Sequence, residues 1–344
     1  MFDMHERKVK TRIATLALVF ALIQMTSSSG QGIQCDPTKV MSADACANCH
    51  ANEVAVWKQS PHFRTYEELS RRPRAKEICG KLGLRSVKRS DVCIQCHFTQ
   101  KEINGKIKPI SGISCESCHG ASKDWLTKHN DYGGPTATKE SESETHKSQR
   151  LADCESLGMR NTRDFYSIAS SCFNCHTVPN EELVNVGGHR AGTIDFELVT
   201  YSQGMIRHNF LRGENKTNVE SAPEKLRLMY VVGLIADLEY STRATANATS
   251  KSEYGLTVAN RAAEKAVKLF ELQQKLNHPD LEAVLRAFAP AELRINNKTQ
   301  LTKIANEIQT IGKRFAKEND GEKLAAVDEY LPKPADYKWE ASLR

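Results

Sequence analysis

Past residue 23 the sequence has no apolar run long enough to cross a bilayer. It has no basic run with interleaved aromatics, so a nucleic-acid surface is not indicated. It has no strict internal period, which argues against a solenoid. Aromatic residues are scarce, at 7% with three tryptophans. That is thin material for an ordinary side-chain core across residues 31–215, which are also rich in loop-forming residues.

What is present begins with a basic stretch (Arg7, Lys8, Lys10, Arg12), an apolar run from Ile13 to Ile23, and small polar residues after it. This is the layout of a secretory signal peptide, expected over residues 1–30 with cleavage near Ser29 or Gly30. The residues before Cys35 ("GIQ") do not resemble a lipobox. The reading implies an exported, periplasmic protein with no membrane span in the mature chain. Export places the cysteines in an oxidising compartment.

There are 11 cysteines, and eight fall in four copies of one pattern, C-x-x-C-H. These are Cys46–Cys49–His50, Cys93–Cys96–His97, Cys115–Cys118–His119 and Cys172–Cys175–His176. A c-type haem explains every functional atom of the pattern. The two cysteines form thioethers to the vinyl groups, and the histidine that follows ligates the iron. A structural zinc site needs two Cys pairs and rarely fixes a His directly after one. A thioredoxin-like dithiol needs one copy on a βαβ unit. A disulfide leaves the histidine unexplained. Four covalent haems c are therefore expected. Cys35, Cys79 and Cys154 remain, enough for at most one disulfide among them. Removing residues 1–30 takes away four basic and two acidic residues, leaving +4 of the formal +6. Haem propionates offset that charge, so the basic balance says little about partners.

The fold expected is mainly α. A loop-rich multihaem cytochrome c domain built around four haems occupies residues 31–220, with short helices near each motif and another at Ala75–Leu82. Residues 131–150 are polar and read as a mobile surface loop. A haem-free helical module is expected over 221–330, followed by an extended tail at 331–344. Ser221-Ala-Pro-Glu224 reads as a capping box. Three apolar stripes follow at helical spacing. They are Leu228–Val231–Val232–Ile235–Leu238, Leu256–Ala259–Ala263–Ala266–Val267–Phe270 and Leu301–Ile304–Ile308–Ile311–Phe315, with a shorter helix at Leu281–Phe288. These stripes are read as packing faces rather than as a partner surface.

Seven histidines are proposed to bind iron: His50, His97, His119 and His176 within the motifs, and His62, His129 and His208 as distal ligands. His62 is 12 residues beyond His50, about 18 Å along a helix. Two ligands of one iron hold their nitrogens only about 4 Å apart. His62 should therefore serve another haem, and His129, 10 residues after His119, the same. Pro61 ends a helix and aims His62. His189 is the fallback for His208. His146 reads as solvated and His278 as structural. Met159 or Met205 would give His/Met ligation of higher potential.

The segment "CANCHANEVAVWKQSPH" (Cys46–His62), "CIQCH", "GISCESCHG" (Gly112–Gly120), His129 and "CFNCH" resemble the tetrahaem cytochrome c-554 family. That family is typified by the soluble periplasmic electron acceptor of hydroxylamine oxidoreductase in ammonia oxidisers. The resemblance covers about residues 44–210 and not the C-terminal helices, which the compact family member lacks. It implies stacked, mostly bis-histidine haems, and one haem, here that of His97, without a distal protein ligand.

Three functions are consistent with these residues. The first is an electron relay with no catalytic residue of its own, between periplasmic redox proteins or membrane quinol-linked cytochromes, with no nucleic-acid partner. The second is an enzyme acting on NO, nitrite or hydroxylamine at an open haem. All four motifs keep His where related nitrite reductases place Lys, and hydroxylamine oxidoreductases carry more than four haems. Both points favour the relay. The third is a scaffold whose helical module docks a partner.

Overall fold

A computed structural model describes residues 35–338. The expected signal peptide and residues 339–344 of the expected tail lie outside the described residues. Among the described residues helices dominate, with one two-stranded sheet. No helix of the described residues is long and apolar enough to cross a membrane.

The first half is a string of short elements. α1 (Ala43–Ala47), α2 (Ala51–Gln59), α3 (Pro61–Glu68) and α4 (Pro73–Lys81) lead to α5 (Asp91–His97). A hairpin of β1 (Thr99–Ile103) and β2 (Lys106–Ser111) follows. The hairpin was not anticipated, although its signal is in the sequence. Asn104 and Gly105 form a two-residue turn, both at positive φ (52° and 70°), the conformation a type I′ hairpin demands.

Next come α6 (Cys115–His119), α7 (Glu144–Ser156), α8 (Phe165–His176), α9 (Glu181–Asn185) and α10 (Leu198–Gln203). α7 corrects the expected loop over 131–150. Ser143 caps it by accepting the His146 N–H, and Cys154 on its inner face is fully buried. The Gly- and Ser-containing stretch before it keeps to turns.

Three long helices and one short one form the C-terminal part: α11 (Pro223–Ala246), α12 (Glu253–Leu276), the short α13 (Pro279–Phe288) and α14 (Lys298–Glu318). The first and third apolar stripes are buried throughout. The second is not. Leu256, Val267 and Phe270 are each about half exposed, at 55–56%, while Tyr254, Val258, Arg261, Ala262, Lys265, Leu269 and Leu272 face inward. The physical reason is Asp237 on α11. It takes Arg261 in a bidentate pair (2.6 and 3.0 Å) and lies 3.4 Å from Lys265, so two cations are buried and the helix turns its other face to solvent. The capping box at Ser221 does not form either. Ala222 is the N-cap, Pro223 the first helical residue, and the Ser221 N–H donates to the Gln203 side chain.

The apolar core crosses the expected boundary at residue 220. Phe165, Tyr166, Ala169 and Phe173 of α8, with Phe196, Leu198 and Val199, pack in one cluster with α11, α13 and α14. The fourth motif is thus carried on a helix of the C-terminal core. Residues 331–338 dock as well: the Tyr337 hydroxyl donates to Glu220 and the Lys338 N–H to the Thr200 carbonyl.

Candidate haem-binding sites

The third motif shows how local chemistry builds each site. Gly112 and Gly120 flank it. A Cβ on Gly112 would lie 1.9 Å from the His62 carbonyl oxygen, so only glycine lets these chains touch. Gly120 has φ of 90° and would likewise strike the Gly158 carbonyl. Glu116, inside the motif, is buried. Its carboxylate accepts from the N–H groups of Met41 (2.9 Å), Ser42 (2.8 Å) and Ser122 (2.8 Å) and from the Ser122 hydroxyl. It thereby holds the start of α1, which carries the first motif. Arg160 wraps the end of α6: its guanidinium donates to the carbonyls of Ser117 and Cys118 (2.7 Å each), and its own carbonyl accepts from His119 Nδ1.

The first motif runs into α2. Trp57 Nε1 donates to the Ile113 carbonyl (2.7 Å), and Ser60 caps α3 by accepting the Phe63 N–H. Pro61 takes the first position of α3, so the proline begins a helix and His62 follows on its first turn. This geometry accounts for the Trp-x-x-Ser-x-His spacing.

The four motif histidines each face another imidazole. The ring centres are 6.3 Å apart for His50 and His129, and 6.4 Å for His62 and His176. They are 6.3 Å apart for His97 and His189, and 6.2 Å for His119 and His208. Two imidazoles on one metal place their nitrogens about 4 Å apart, and roughly 1 Å more on each side reaches the ring centre, about 6 Å in all. The donor sets therefore fit an iron between each pair. No group of three or more His, Cys, Asp and Glu side chains among the described residues could hold a metal in the manner of zinc.

Hydrogen bonding adds a second sign. Nδ1 of His129 bonds to the Leu126 carbonyl, that of His189 to Arg190 (2.8 Å) and that of His208 to Ile206. A carbonyl only accepts, so Nδ1 carries the proton and Nε2 is left with its lone pair. Metal-bound histidines are oriented in this way. His176 Nδ1 lies 3.1 Å from the Thr193 hydroxyl, and the Thr193 carbonyl accepts from Arg261. Burial pushes His62, His97 and His119 down to about 4 and His176 to about 3, which keeps these rings neutral, the ligating form.

The motif cysteines meet across motifs. The thiols of Cys46 and Cys115 are in hydrogen-bond contact, as are those of Cys96 and Cys175. Cys118 touches Ser171, next to Cys172. Cys35, Cys79 and Cys154 form no disulfide; all three are free thiols.

The remaining candidates fall elsewhere. His146 pairs with Glu142 (2.7 Å) on the surface of α7. His278 caps α13 and packs on Phe315. Neither Met159 nor Met205 takes the place opposite a motif histidine, since each has an imidazole there. Opposite His97, where the family resemblance implies an open face, the structure places the His189 ring. His189 had a signal in the sequence: Gly187 and Gly188 precede it, and paired glycines permit close backbone approach. Glu116, Arg160 and Thr193 had none, since their partners are distant in sequence.

Residues 45–120 match the family described as cytochrome c554 and c-prime. Cytochrome c-554 of Nitrosomonas europaea is 29% identical over 134 residues, which are 36% of this chain and 55% of that protein. The chain thus spans about half the length of the curated relative it matches. No solved structure matches it. The matched segment carries the Trp57, Ser60, His62 and Gly112–Gly120 features whose geometry is described above; over that segment the chain is similar to the cytochrome c-554 family, and further helices lie beyond it.

Proposed function

We propose that this protein is a periplasmic tetrahaem cytochrome that relays electrons between redox partners. The observation that carries the reading is the four imidazole pairs at nearly equal spacing, one to each C-x-x-C-H motif. Haem c attached at Cys46/Cys49, Cys93/Cys96, Cys115/Cys118 and Cys172/Cys175 would supply one-electron chemistry. The chain's own imidazoles would hold the irons, and burial keeps the motif histidines of the second, third and fourth motifs neutral. His129 serves the first motif, His208 the third and His62 the fourth.

The cysteine contacts support a relay order that differs from the sequence order. Haems attached there would lie with the first beside the third, where Cys46 meets Cys115, the third beside the fourth, where Cys118 meets Ser171, and the fourth beside the second, where Cys96 meets Cys175. Electron transfer falls steeply with distance, so adjoining attachment edges suit hopping along first, third, fourth and second. We assign the electron-transfer part to residues 31–220 together with α8's partners in the C-terminal core, and the partners to periplasmic redox proteins or membrane quinol-linked cytochromes. The enzymatic alternative needs an iron with a free axial face, and each motif histidine has an opposing imidazole.

Intact mass and a pyridine haemochrome assay of the exported protein test the reading; four haems per chain are expected. Stopped-flow reduction by a small donor should then show all four haems equilibrating within the chain faster than they exchange with an added acceptor. A colourless or zinc-loaded protein would overturn it.

A further inference from the structure

We propose that His189 is the second axial ligand of the haem attached at Cys93 and Cys96, and that the C-terminal helices hold it there. The proposal rests on the haem reading above. It departs from what the family resemblance implies for this haem, which is an open face.

His189 meets the same two tests as His129 and His208. Its ring centre is 6.3 Å from that of His97, and its Nδ1 is spent on the Arg190 carbonyl, which leaves Nε2 for the iron. The loop that carries it is gripped from two sides. On the motif side, Arg74 of α4 donates to the Gly188 carbonyl. Gly188 sits at φ of 73°, and a Cβ there would come within 3.2 Å of the Arg74 guanidinium, so the grip needs a glycine. Gly187 likewise admits Leu82, whose Cδ1 would be 2.9 Å from an added Cβ.

On the other side, α9 is fastened to the added helices. The Glu181 carboxylate accepts from the N–H groups and hydroxyls of Thr249 and Ser250, in the connection between α11 and α12. Asn185 accepts the Tyr254 N–H at the start of α12 (3.0 Å). Val184 and Ala191 are buried in one cluster with Ala244, Ala248, Tyr254 and Val258. Both ends of the 184–191 turn therefore rest on a platform that the first half of the chain does not supply. This gives the C-terminal helices a role in ligation: they hold the residue that closes an iron otherwise left open. A six-coordinate, low-spin second haem excludes outside diatomic ligands, because a strong nitrogen ligand must leave first.

The test uses the full-length holoprotein, counts its haems by mass and haemochrome, and then records the ferric EPR spectrum and a CO titration of the reduced protein. The wild type should show four haems, no high-spin ferric signal and no stoichiometric CO binding. His189→Ala should keep four haems, turn one of them high-spin and bind about one equivalent of CO. His189→Met should restore the low-spin state with that haem's potential raised. Glu181→Ala, which touches no ligand, should raise the high-spin fraction of the same haem alone. Four haems with one already high-spin in the wild type, unchanged by His189→Ala, would overturn the proposal and leave the relay reading standing. A missing haem at Cys93 and Cys96 would overturn both. Unaltered spin state in Glu181→Ala would remove the bracing role of the C-terminal helices.

Discussion

Gly112 lies so close to the carbonyl of His62 that a methyl group on it would sit 1.9 Å from the oxygen. Trp57 fastens the same crossing by donating to the next residue's carbonyl, Ile113. His62 is thus aimed at His176 by a backbone contact made 50 residues later in the chain. Gly112→Ala must drive the two segments apart, at a cost of about 1–3 kcal/mol. The expected result is a lower Tm and a partly high-spin fourth haem, read by thermal unfolding and EPR. An unchanged Tm together with an unchanged spin balance would show that the contact does not position His62.

Removal of a distal imidazole should open one iron at a time. His62→Ala, His129→Ala and His208→Ala are each expected to convert one low-spin haem to high-spin, in the fourth, first and third motif respectively. Intact mass should still show four haems, since no attachment cysteine is altered. A variant that leaves the spectrum untouched would remove its histidine from the ligand set.

Glu116 holds three backbone N–H groups and a hydroxyl with one carboxylate. Glu116→Ala leaves those donors unpaired in or near the interior. Bonds to a charged acceptor contribute about 1.5–3 kcal/mol each, so a loss of about 3 kcal/mol or more is expected. Chemical denaturation measures it. Because Glu116 holds the start of α1, attachment at Cys46 and Cys49 should fall more than at the other three motifs, which mass spectrometry of haem peptides would reveal.

One acid-sensitive link is predicted at His129. Arg150 donates to both carboxylate oxygens of Glu142 and to the His129 carbonyl. The Arg150 bonds hold the Glu142 carboxyl down at about 2, with His146 adding to the effect. A carboxyl depressed in the folded state stabilises fully above its ordinary value of about 4.3, and loses that contribution as pH falls toward the folded value. The first haem should therefore stay low-spin down to about pH 4 and turn high-spin between there and about pH 2. Glu142→Gln, which cannot carry the charge, should show the loosened state already at neutral pH. Optical spin-state titration distinguishes the two, and identical curves would discard the link.

The structure also shows where sequence patterns mislead. Leu256, Val267 and Phe270 recur at helical spacing but lie half exposed, because Asp237 draws Arg261 and Lys265 into the interior of the same helix. Hydrophobic periodicity cannot register an ion pair made with a residue 24 positions away. The polar stretch 131–150 read as loop throughout, yet Ser143 caps a helix and Cys154 buries its inner face. The hairpin at 99–111 does carry a local signal, the Asn104-Gly105 turn with both residues at positive φ.

Composition and spacing alone determine the attachment chemistry, since C-x-x-C-H places two thiols and an imidazole within five consecutive residues. They also determine the helical stripe of α14, whose apolar residues fall on one face by the 3.6-residue period, whereas α11 is enclosed on all sides. Which histidine faces which was decided by the tertiary structure alone. The pairs His50–His129, His62–His176, His97–His189 and His119–His208 join residues 79 to 114 positions apart. Three of them depend on a crossing that no local pattern encodes: Gly112 on His62, Arg150 on His129, Arg74 on Gly188. An axial ligand must be placed to within a fraction of an ångström, and such placement comes from backbone contacts and hydrogen bonds between distant segments. Those contacts exist only once the chain has folded.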